Sequence, residues 1–324
     1  MAQAKTLIGY HASHEQFPPS QLLQCVQRAE QAGFNAAMCS DHFNPWGELQ
    51  GQSGFAWSWL GAALQSTRLS FGMVNAPGQR YHPAIIAQAA ATLAEMFPDR
   101  VWCAFGSGQL LNEYITGQKF PTKPQRNQRL KECIDVIRAL WRGETVNHHS
   151  EFITVEEATL YTRPKTPPMI FGAALSTDTA RFAGSWADAL ITVHTDPQKL
   201  KPIVAAFREG GGEGKPMALQ VHLAYAPTDA QALEAAHSQW RNNTLPSSTN
   251  VEIKRPDHFD VIGKLVQPES MRQTVLVSSD IGQHIAWLQE YRALGFDRLY
   301  LHEVGKDQNR FIDTFGEKVL PQLS

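Results

Sequence analysis

Apolar residues along this chain alternate between two spacings. Short, nearly continuous apolar runs rich in Val, Ile and Leu are separated by longer stretches in which apolar residues recur every three or four positions. The first spacing is typical of parallel strands buried on both faces, and the second is typical of amphipathic helices. The apolar runs predict eight strands: Thr6–His11, Ala36–His42, Leu69–Asn75, Arg100–Gly106, Pro168–Ala174, Asp188–His194, Met217–Tyr225 and Arg298–Val304.

Helix-like stretches connect these strands. Three helix-to-strand junctions, QAGFNAAM, FAGSWADALI and RALGFDRLYL, each place a glycine where a helix should end. Eight alternating strand–helix units in 324 residues predict an α/β fold, a (β/α)8 TIM barrel formed by residues 1–324 as one domain. A doubly wound open sheet is the alternative, because the number of strands alone does not show that a barrel closes.

Two segments depart from the simple alternation of strand and helix. The sequence of residues 147–163 predicts a short extended insertion. The segment of residues 243–273 is long and polar and shows no regular pattern. Long irregular connections in a compact domain are usually functional, as covers of active sites or as binding loops. We therefore expect residues 243–273 to cover the substrate site or to bind the substrate.

Composition excludes several classes of function. The chain has 29 Lys and Arg against 31 Asp and Glu, a net charge of −2, which argues against binding to nucleic acid or an anionic membrane. The N-terminus lacks the apolar core of a signal peptide, and the longest apolar stretch, AIIAQAAATLAEMF, is interrupted by Gln88 and Glu95. We therefore expect a cytoplasmic protein with no membrane span. Its separated cysteines predict buried free thiols: Cys25, Cys39, Cys103 and Cys133.

Polar side chains follow six of the eight predicted strands. In a (β/α)8 barrel the active site forms at the carboxyl ends of the strands, so these side chains should share one rim. Several histidines that converge on one rim favour a functional site over isolated structural roles. The residues are Tyr10, His11, Asp41, His42, Asn75, Ser107, Gln109, His194, His302 and Glu303.

Two chemistries could use such a rim. A metal-dependent hydrolase needs two inward ligands from one early strand, but HASH after strand one has the wrong spacing, although Glu303 beside His302 keeps an acidic ligand available. We therefore predict no metal site. In SDHFNPW, His42 and Trp46 instead offer an imidazole beside an aromatic wall, which suits a flat cofactor. The tryptophans of GFAWSW could line the same site or belong to a helix core.

The chain resembles the luciferase-like family of flavin- and deazaflavin-dependent oxidoreductases, and within it the branch of deazaflavin-dependent glucose-6-phosphate dehydrogenases. The stretches that carry this resemblance cover most of the chain in order. They are IGYHASHEQFPP, SDHFNPW, RYHPAIIAQAAATLAEMFPDRV, GSGQLLNE with ITG, FAGSWADALI and LHEVGKDQNRFIDTF.

The resemblance implies a barrel that holds a flavin-type cofactor at its carboxyl-end mouth without a covalent bond. It implies that His42 and Trp46 face the reacting side of the ring, and that a non-proline cis peptide near Met73–Val74 backs the ring. Other residues implied to bind the cofactor are Asp41, Ser107 and Asn112, with Ala174, Leu175, Ser176 and Thr177 at its phosphate. By analogy, the resemblance also implies a homodimer.

Several departures from the dehydrogenase branch change the expected function. Gln109 stands where the dehydrogenases carry a glutamate acid, and an amide cannot donate a proton as an acid. Thr274 and Val261 stand where cations bind the phosphate of the sugar. We therefore predict an FMN-dependent monooxygenase, with His42, Trp46 and Gln109 as its catalytic residues.

Its predicted substrate is a small organic molecule, and a separate flavin reductase would reduce the cofactor. One alternative is a deazaflavin-dependent dehydrogenase. Another, of a different class, is a binding or partner subunit without a cofactor.

Overall fold

A computed structural model describes residues 6–323 of the chain. Eight parallel strands pair in the order β9-β11-β1-β2-β3-β4-β7-β8, and the pairing of β8 with β9 closes the barrel. The predicted (β/α)8 barrel is therefore confirmed, and the open sheet is excluded. The strands are β1 Leu7–Ala12, β2 Ala36–Ser40, β3 Ser70–Asn75, β4 Val101–Phe105, β5 Val146–His149, β6 Thr154–Ala158, β7 Met169–Ala173, β8 Ala189–Val193, β9 Met217–Ala224, β10 Leu276–Val277 and β11 Arg298–Glu303.

Helices pack around the barrel and cover its outer face. Four of them begin at a proline, whose fixed backbone angle and missing N–H suit the first helical position. The α-helices are α1 Pro19–Gln31, α2 Ala56–Ser66, α3 Pro83–Met96, α4 Leu110–Glu113, α5 Lys123–Arg142, α6 Thr177–Gly184, α7 Pro197–Phe207, α8 Asp229–Trp240, α9 Ser247–Asn250, α10 Pro256–Gly263, α11 Ile281–Ala293, α12 Gln308–Lys318 and α13 Leu320–Leu323.

The two segments that interrupt the alternation have different structures. Strands β5 and β6 form an antiparallel hairpin outside the barrel, within the extended insertion expected at 147–163. Residues 243–273, here called the covering segment, contain the short helices α9 and α10 and a 3-10 turn, Pro268–Gln273, and so are more ordered than their sequence indicates. Strand β10, two residues that extend the pairing of β9, was not predicted.

Large aromatic side chains fill the barrel interior below its mouth. The ring of Trp102 lies 4.8 Å from that of Phe171 and 5.2 Å from that of Tyr300, measured between centroids. A Cβ atom on Gly72 would lie 2.0 Å from the Trp102 ring, so only glycine fits at this position of β3. We call these three aromatic residues the floor, because they close the barrel axis beneath the mouth.

All four cysteines are buried and free, as predicted from their spacing. Within residues 6–323, no helix combines the length and the apolar character needed to cross a membrane.

Candidate active site

The mouth of the barrel has a polar half and an apolar half. Strand side chains alternate between inside and outside, so residues two positions beyond the floor layer also face inward. Strands β3, β4, β7 and β8 contribute small apolar side chains, whereas β1, β2, β9 and β11 contribute polar ones. The apolar set is Val74, Ala104, Ala173 and Val193, and the polar set is His11, Ser40, Gln220, His222 and His302.

A buried carboxylate contacts the predicted catalytic histidine. Nδ1 of His42 lies 3.2 Å from Oε1 of Glu15, which makes this contact an ion pair when the ring is protonated. The second carboxylate oxygen of Glu15 accepts hydrogen bonds from the hydroxyls of Ser13 and Ser40, at 3.0 and 2.5 Å. Glu15 is therefore fixed in place beside Nδ1 of His42.

Burial and charge act in opposite directions on this pair. Burial lowers the pKa of His42, and the nearby Glu15 carboxylate partly offsets that effect. Burial alone would raise the pKa of Glu15, but His42 and the Ser40 hydroxyl together hold it below its usual value. Near neutral pH the pair is thus a carboxylate beside a neutral imidazole, which can accept a proton.

Asp41 anchors the loop that carries His42. Its side chain is buried and accepts hydrogen bonds from Asn75, Arg80 and Tyr81, at 2.5, 3.0 and 3.1 Å. These contacts draw the chain out of the sheet, which explains why β2 ends at Ser40 and not at His42 as predicted. Protein groups already use both carboxylate oxygens of Asp41. This side chain therefore supports the loop that carries His42.

Trp46 lies between His42 and the covering segment. Its ring centroid is 4.9 Å from that of His42 and 5.4 Å from that of Phe259 in α10, which it meets edge to face. Asp260 accepts a hydrogen bond from the backbone N–H of Glu48 at 2.7 Å. The covering segment therefore packs on the loop that holds His42 and Trp46.

Asn112 and Gln109 connect two loops of the mouth. Oδ1 of Asn112 accepts a hydrogen bond from the N–H of Phe43 at 2.9 Å, and its Nδ2 donates to Oε1 of Gln109 at 3.4 Å. The N–H of Leu110 donates to the carbonyl of Val251, in the covering segment, at 2.9 Å. The structure thus places Asn112 and Gln109 where they hold the loop after β2 against the loop after β4.

The remaining predicted cofactor residues surround the mouth. Ser107 accepts a hydrogen bond from Nζ of Lys123 at 2.7 Å. Ser176 caps α6 and accepts a hydrogen bond from the N–H of Thr179 at 3.3 Å, while Leu175 and Thr177 beside it are exposed. Ala174, by contrast, is buried at the end of β7. The open N-terminus of α6 suits an anionic group.

The predicted cis peptide at Met73–Val74 is wrong. No peptide bond among residues 6–323 is cis. Strand β3 keeps regular parallel pairing through these residues, with Met73 opposite Cys39 and Val74 opposite Ser40, so an extended trans backbone satisfies both neighbouring strands.

Two residues predicted at the rim point away from it. Tyr10 packs between helices, 6.3 Å from Phe34 and 6.5 Å from Phe311 between ring centroids. Glu303 accepts backbone N–H bonds from Tyr225 and Gly305 outside the barrel. Strand alternation explains both, because each adjoins an inward-facing histidine.

Sequence reasoning missed Glu15, Gln220 and His222. The signal for the last two was the alternation of polar residues within the apolar run of β9.

Trp57 and Trp59 are buried in α2, within the helix core and not in the mouth. Within residues 6–323, no group of three or more His, Cys, Asp or Glu side chains is arranged to hold a metal ion.

Comparison with known proteins identifies the family. The profile of the luciferase-like monooxygenases matches residues 3–298. The chain belongs to this family. It is 34% identical to F420-dependent glucose-6-phosphate dehydrogenase from Beutenbergia cavernae, over 98% of this chain and 97% of the relative. It is 35% identical to the enzyme of the same name from Microbacterium testaceum, over 97% of this chain and 96% of the relative.

A solved structure is similar over the whole barrel. An F420-dependent secondary alcohol dehydrogenase, in complex with an F420–acetone adduct, superposes with a TM-score of 0.93 at 31% identity, covering 99% of this chain and 100% of its own. The family resemblance predicted from the sequence is therefore confirmed, and this chain is a luciferase-like oxidoreductase. These relatives use the deazaflavin F420, which favours the deazaflavin alternative over the predicted FMN-dependent monooxygenase.

Proposed function

We propose that this protein is a deazaflavin-dependent dehydrogenase that oxidises an uncharged alcohol, with F420 as hydride acceptor. The observation that carries the proposal is the buried Glu15–His42 pair. It supplies a proton acceptor in the mouth of a barrel whose named relatives are F420-dependent dehydrogenases along their whole length.

The residues of the mouth fit a flat cofactor. Val74, Ala104, Ala173 and Val193 offer an apolar surface on one half of the mouth, opposite His42 and Trp46. The exposed loop at the start of α6, capped by Ser176, would hold the anionic phosphate of the cofactor. When bound, the deazaflavin supplies a ring that accepts a hydride with its two electrons.

His42 would take the proton that alcohol oxidation releases. Nε2 of His42 accepts the hydroxyl proton, and the resulting imidazolium is stabilised by Glu15 at Nδ1. Trp46 packs against His42 and excludes water from this side of the mouth. The chain therefore provides the acid–base half of the reaction without a carboxyl at position 109.

Gln109 favours a second candidate function, the FMN-dependent monooxygenase predicted from the sequence. That prediction depended on the missing acid at this position. In the structure the amide of Gln109 accepts a hydrogen bond from Asn112, so it has a positioning role, and Glu15 with His42 provides proton chemistry instead. These contacts support the dehydrogenase as the first candidate.

The substrate proposed here carries no phosphate. Thr274 and Val261 stand where the family resemblance implied phosphate-binding cations; Val261 is exposed and Thr274 is only partly buried. Without cations in these positions a phosphomonoester would lose its charge-assisted hydrogen bonds. The homodimer and the separate flavin reductase stay predictions.

Cofactor titration separates the two candidates. We expect F420 to quench the tryptophan fluorescence of the purified protein at lower concentration than FMN does, and the bound F420 to lose its visible absorbance when an alcohol substrate is added. Tight binding of FMN with no response to F420 would overturn the proposal in favour of the monooxygenase.

His42→Asn tests the assigned proton acceptor. We expect this change to lower kcat by about 1,000-fold without weakening F420 binding, because the amide cannot take a proton. His148→Asn is the control, because His148 lies on the hairpin outside the barrel, 3.1 Å from Glu132. An equal loss of activity in both variants would contradict the role given to His42.

A further inference from the structure

Three histidines and a tryptophan form a continuous wall on the polar half of the mouth. The ring centroid of His302 lies 4.3 Å from that of His11, 5.3 Å from that of His222 and 4.7 Å from that of Trp240. His302 and His222 are register partners on β11 and β9. We call His11, His222, His302 and Trp240 the histidine wall.

The histidine wall holds buried polar atoms with no protein partner. Nδ1 of His11, Nδ1 of His302 and Nε1 of Trp240 lack a hydrogen-bond partner, and these three side chains are more than nine-tenths buried. Buried polar groups are nearly always hydrogen-bonded, so several unpaired atoms on one surface of a mouth indicate that a ligand pairs them.

Hydrogen bonds show which ring nitrogen carries the proton in His302 and in His222. Nε2 of Gln16 donates to the carbonyl of Val304 at 2.8 Å, so its Oε1 faces Nε2 of His302, 2.9 Å away. His302 therefore carries its proton on Nε2 and presents Nδ1 as an acceptor. Nε2 of Gln220 donates to Nε2 of His222 at 3.1 Å, which leaves a donor N–H on Nδ1 of His222. The ring with the donor and the ring with the acceptor belong to register partners, and their centroids are 5.3 Å apart.

The charge of this region is also defined. Burial lowers the pKa of His11 to about 4, and burial, reinforced by neighbouring histidines, puts the pKa values of His222 and His302 well below the usual range. The histidine wall is therefore uncharged near neutral pH. The carboxylate of Glu15 is the charge that acts most on the pKa of His11, which it raises, and a carboxylate repels anions.

We propose that the histidine wall is a substrate subsite that binds a second hydroxyl group, so that the substrate is an uncharged diol, polyol or free sugar and not a simple alcohol. A hydroxyl both donates and accepts a hydrogen bond, which matches the paired donor of His222 and acceptor of His302. The proposal rests on the proposed function, since the carbinol next to this hydroxyl is the one oxidised at His42.

Other ligands fit this surface less well. A phosphate or carboxylate would meet neutral rings and the Glu15 carboxylate without a cation to bind it. Within residues 6–323, no group of three or more His, Cys, Asp or Glu side chains is arranged to hold a metal ion. An uncharged polyol meets none of these costs, and the ring of Trp240 offers its carbon skeleton an apolar face.

Matched substrates test the proposal with the F420-loaded protein. Isopropanol and propylene glycol differ by one hydroxyl, and glycerol and glycerol phosphate differ by one phosphate. We expect kcat/KM to be about 10-fold higher for propylene glycol and glycerol than for isopropanol, because each additional paired hydroxyl strengthens binding. We expect glycerol phosphate to be used less well than glycerol.

Variants of the histidine wall test which residues are responsible. His302→Leu, which removes the acceptor, should raise KM for glycerol about 10-fold and leave the KM for isopropanol unchanged. His222→Asn, which keeps a polar side chain, is the second variant if His302→Leu does not fold. His148→Leu on the outer hairpin is the control and should change neither value. Equal use of isopropanol and the glycols, or an equal change with both substrates, would overturn the proposal.

A measurement without turnover keeps the two proposals distinguishable. We expect glycerol to shift the imidazole NMR signals of His222 and His302 but not that of His148, in protein saturated with reduced F420, which cannot accept a hydride. If no alcohol is oxidised but these signals shift, the subsite stands and the proposed dehydrogenase activity fails. If alcohols are oxidised but the signals do not shift, the subsite fails and the activity stands.

Discussion

Glu15 and His42 come from different loops, and each shifts the pKa of the other. Glu15 follows β1 and His42 follows β2, so the barrel must form before the two meet. The Glu15 carboxylate is buried, and a buried charge is costly unless it is paired and hydrogen-bonded. Two serine hydroxyls and His42 provide those contacts. A proton acceptor is thereby kept in a part of the barrel that excludes most water.

Glu15→Gln should lower kcat for alcohol oxidation by about 100-fold, because the imidazolium formed at His42 loses its stabilising charge. It should also move the acid limb of the kcat profile to lower pH, since the carboxylate raises the pKa of His42 and the amide does not. Glu132→Gln, which alters the partly buried partner of His148 outside the barrel, is the matched control. An unchanged pH profile in Glu15→Gln would show that the pair does not act in the reaction.

Single residues differed in how well the sequence could predict them. His42 and Trp46 could be predicted because both lie in one short stretch directly after an apolar run. Glu15 could not, because its contact with His42 depends on a turn after β1 in which the N–H of Gln16 donates to the carbonyl of Ser13. Gln109 was interpreted by its chemistry alone, and the sequence could not show that the carboxylate of Glu15 lies beside His42.

The covering segment is the element that packs on the mouth, and its contact with the loop after β2 centres on α10. Asp260 accepts hydrogen bonds from the N–H of Glu48 and from Nδ2 of Asn242, while Phe259 packs against Trp46. The contacts with Glu48 and Trp46 join α10 to the loop after β2, and the contact with Asn242 joins it to the turn that follows α8. The position of this segment was therefore predictable only in outline, because polar composition indicates a loop but does not say which loop it meets.

Asp260→Ala should loosen the covering segment and raise KM for the alcohol by about 3- to 10-fold, with little change in F420 binding, because it removes two hydrogen bonds of about 1 kcal/mol each. Hydrogen exchange of residues 243–273 should accelerate in parallel. Asp257→Ala on the same helix is the control, since the side chain of Asp257 is partly exposed and pairs with Arg255 two residues away. Equal exchange in both variants would contradict the anchoring role of Asp260.

The carboxyl ends of β1, β9 and β11 carry histidines that folding keeps uncharged. The unfolded chain takes up a proton on such a histidine near its ordinary pKa of about 6.5, but burial lowers the folded pKa of His11 to about 4. The contribution of His11 to stability is therefore present above pH 6.5 and is lost as the pH falls toward 4. Burial raises the pKa of Glu303 to about 8, so that residue contributes with the opposite sign.

The free energy of unfolding should accordingly decrease as the pH is lowered from about 7 to 5, by up to about 1.4 kcal/mol per pH unit for each fully shifted histidine. The urea midpoint of unfolding should decrease with it. His11→Asn should narrow the difference between the two midpoints. His149→Asn, at an exposed site on the hairpin, is the control. If His11→Asn leaves the difference unchanged, His11 does not carry the effect assigned to it.

At the scale of the whole molecule, a sequence of apolar runs was enough to predict eight strands but not their closure. Every predicted strand is present, with ends that differ by at most two residues. Closure depends on the pairing of β8 with β9, from Leu190 opposite Met217 to Val193 opposite Gln220. No local pattern encodes that contact, because both strands have the same apolar character in either an open sheet or a barrel.

The interior of the barrel depends on matching large and small residues across strands. Gly72→Ala should destabilise the protein by about 1–3 kcal/mol, because the new methyl group overlaps the ring of Trp102. Trp102→Ala alone should cost about 3–5 kcal/mol. In the double variant, Gly72→Ala should lower the free energy of unfolding by much less than it does alone. Urea unfolding of the single and double variants would measure this difference as a coupling energy. Additive costs would show that the two residues do not compete for the same space.

The aromatic floor closes the barrel axis on one side of the candidate active site. Trp102, Phe171 and Tyr300 block the axis below His42, while the covering segment lies against the loops above it. In the proposed reaction, substrate and product therefore both enter and leave through the mouth. A product that stays in the mouth occupies the place of the next substrate, so product and substrate compete directly, and turnover is tied to how fast the mouth is emptied.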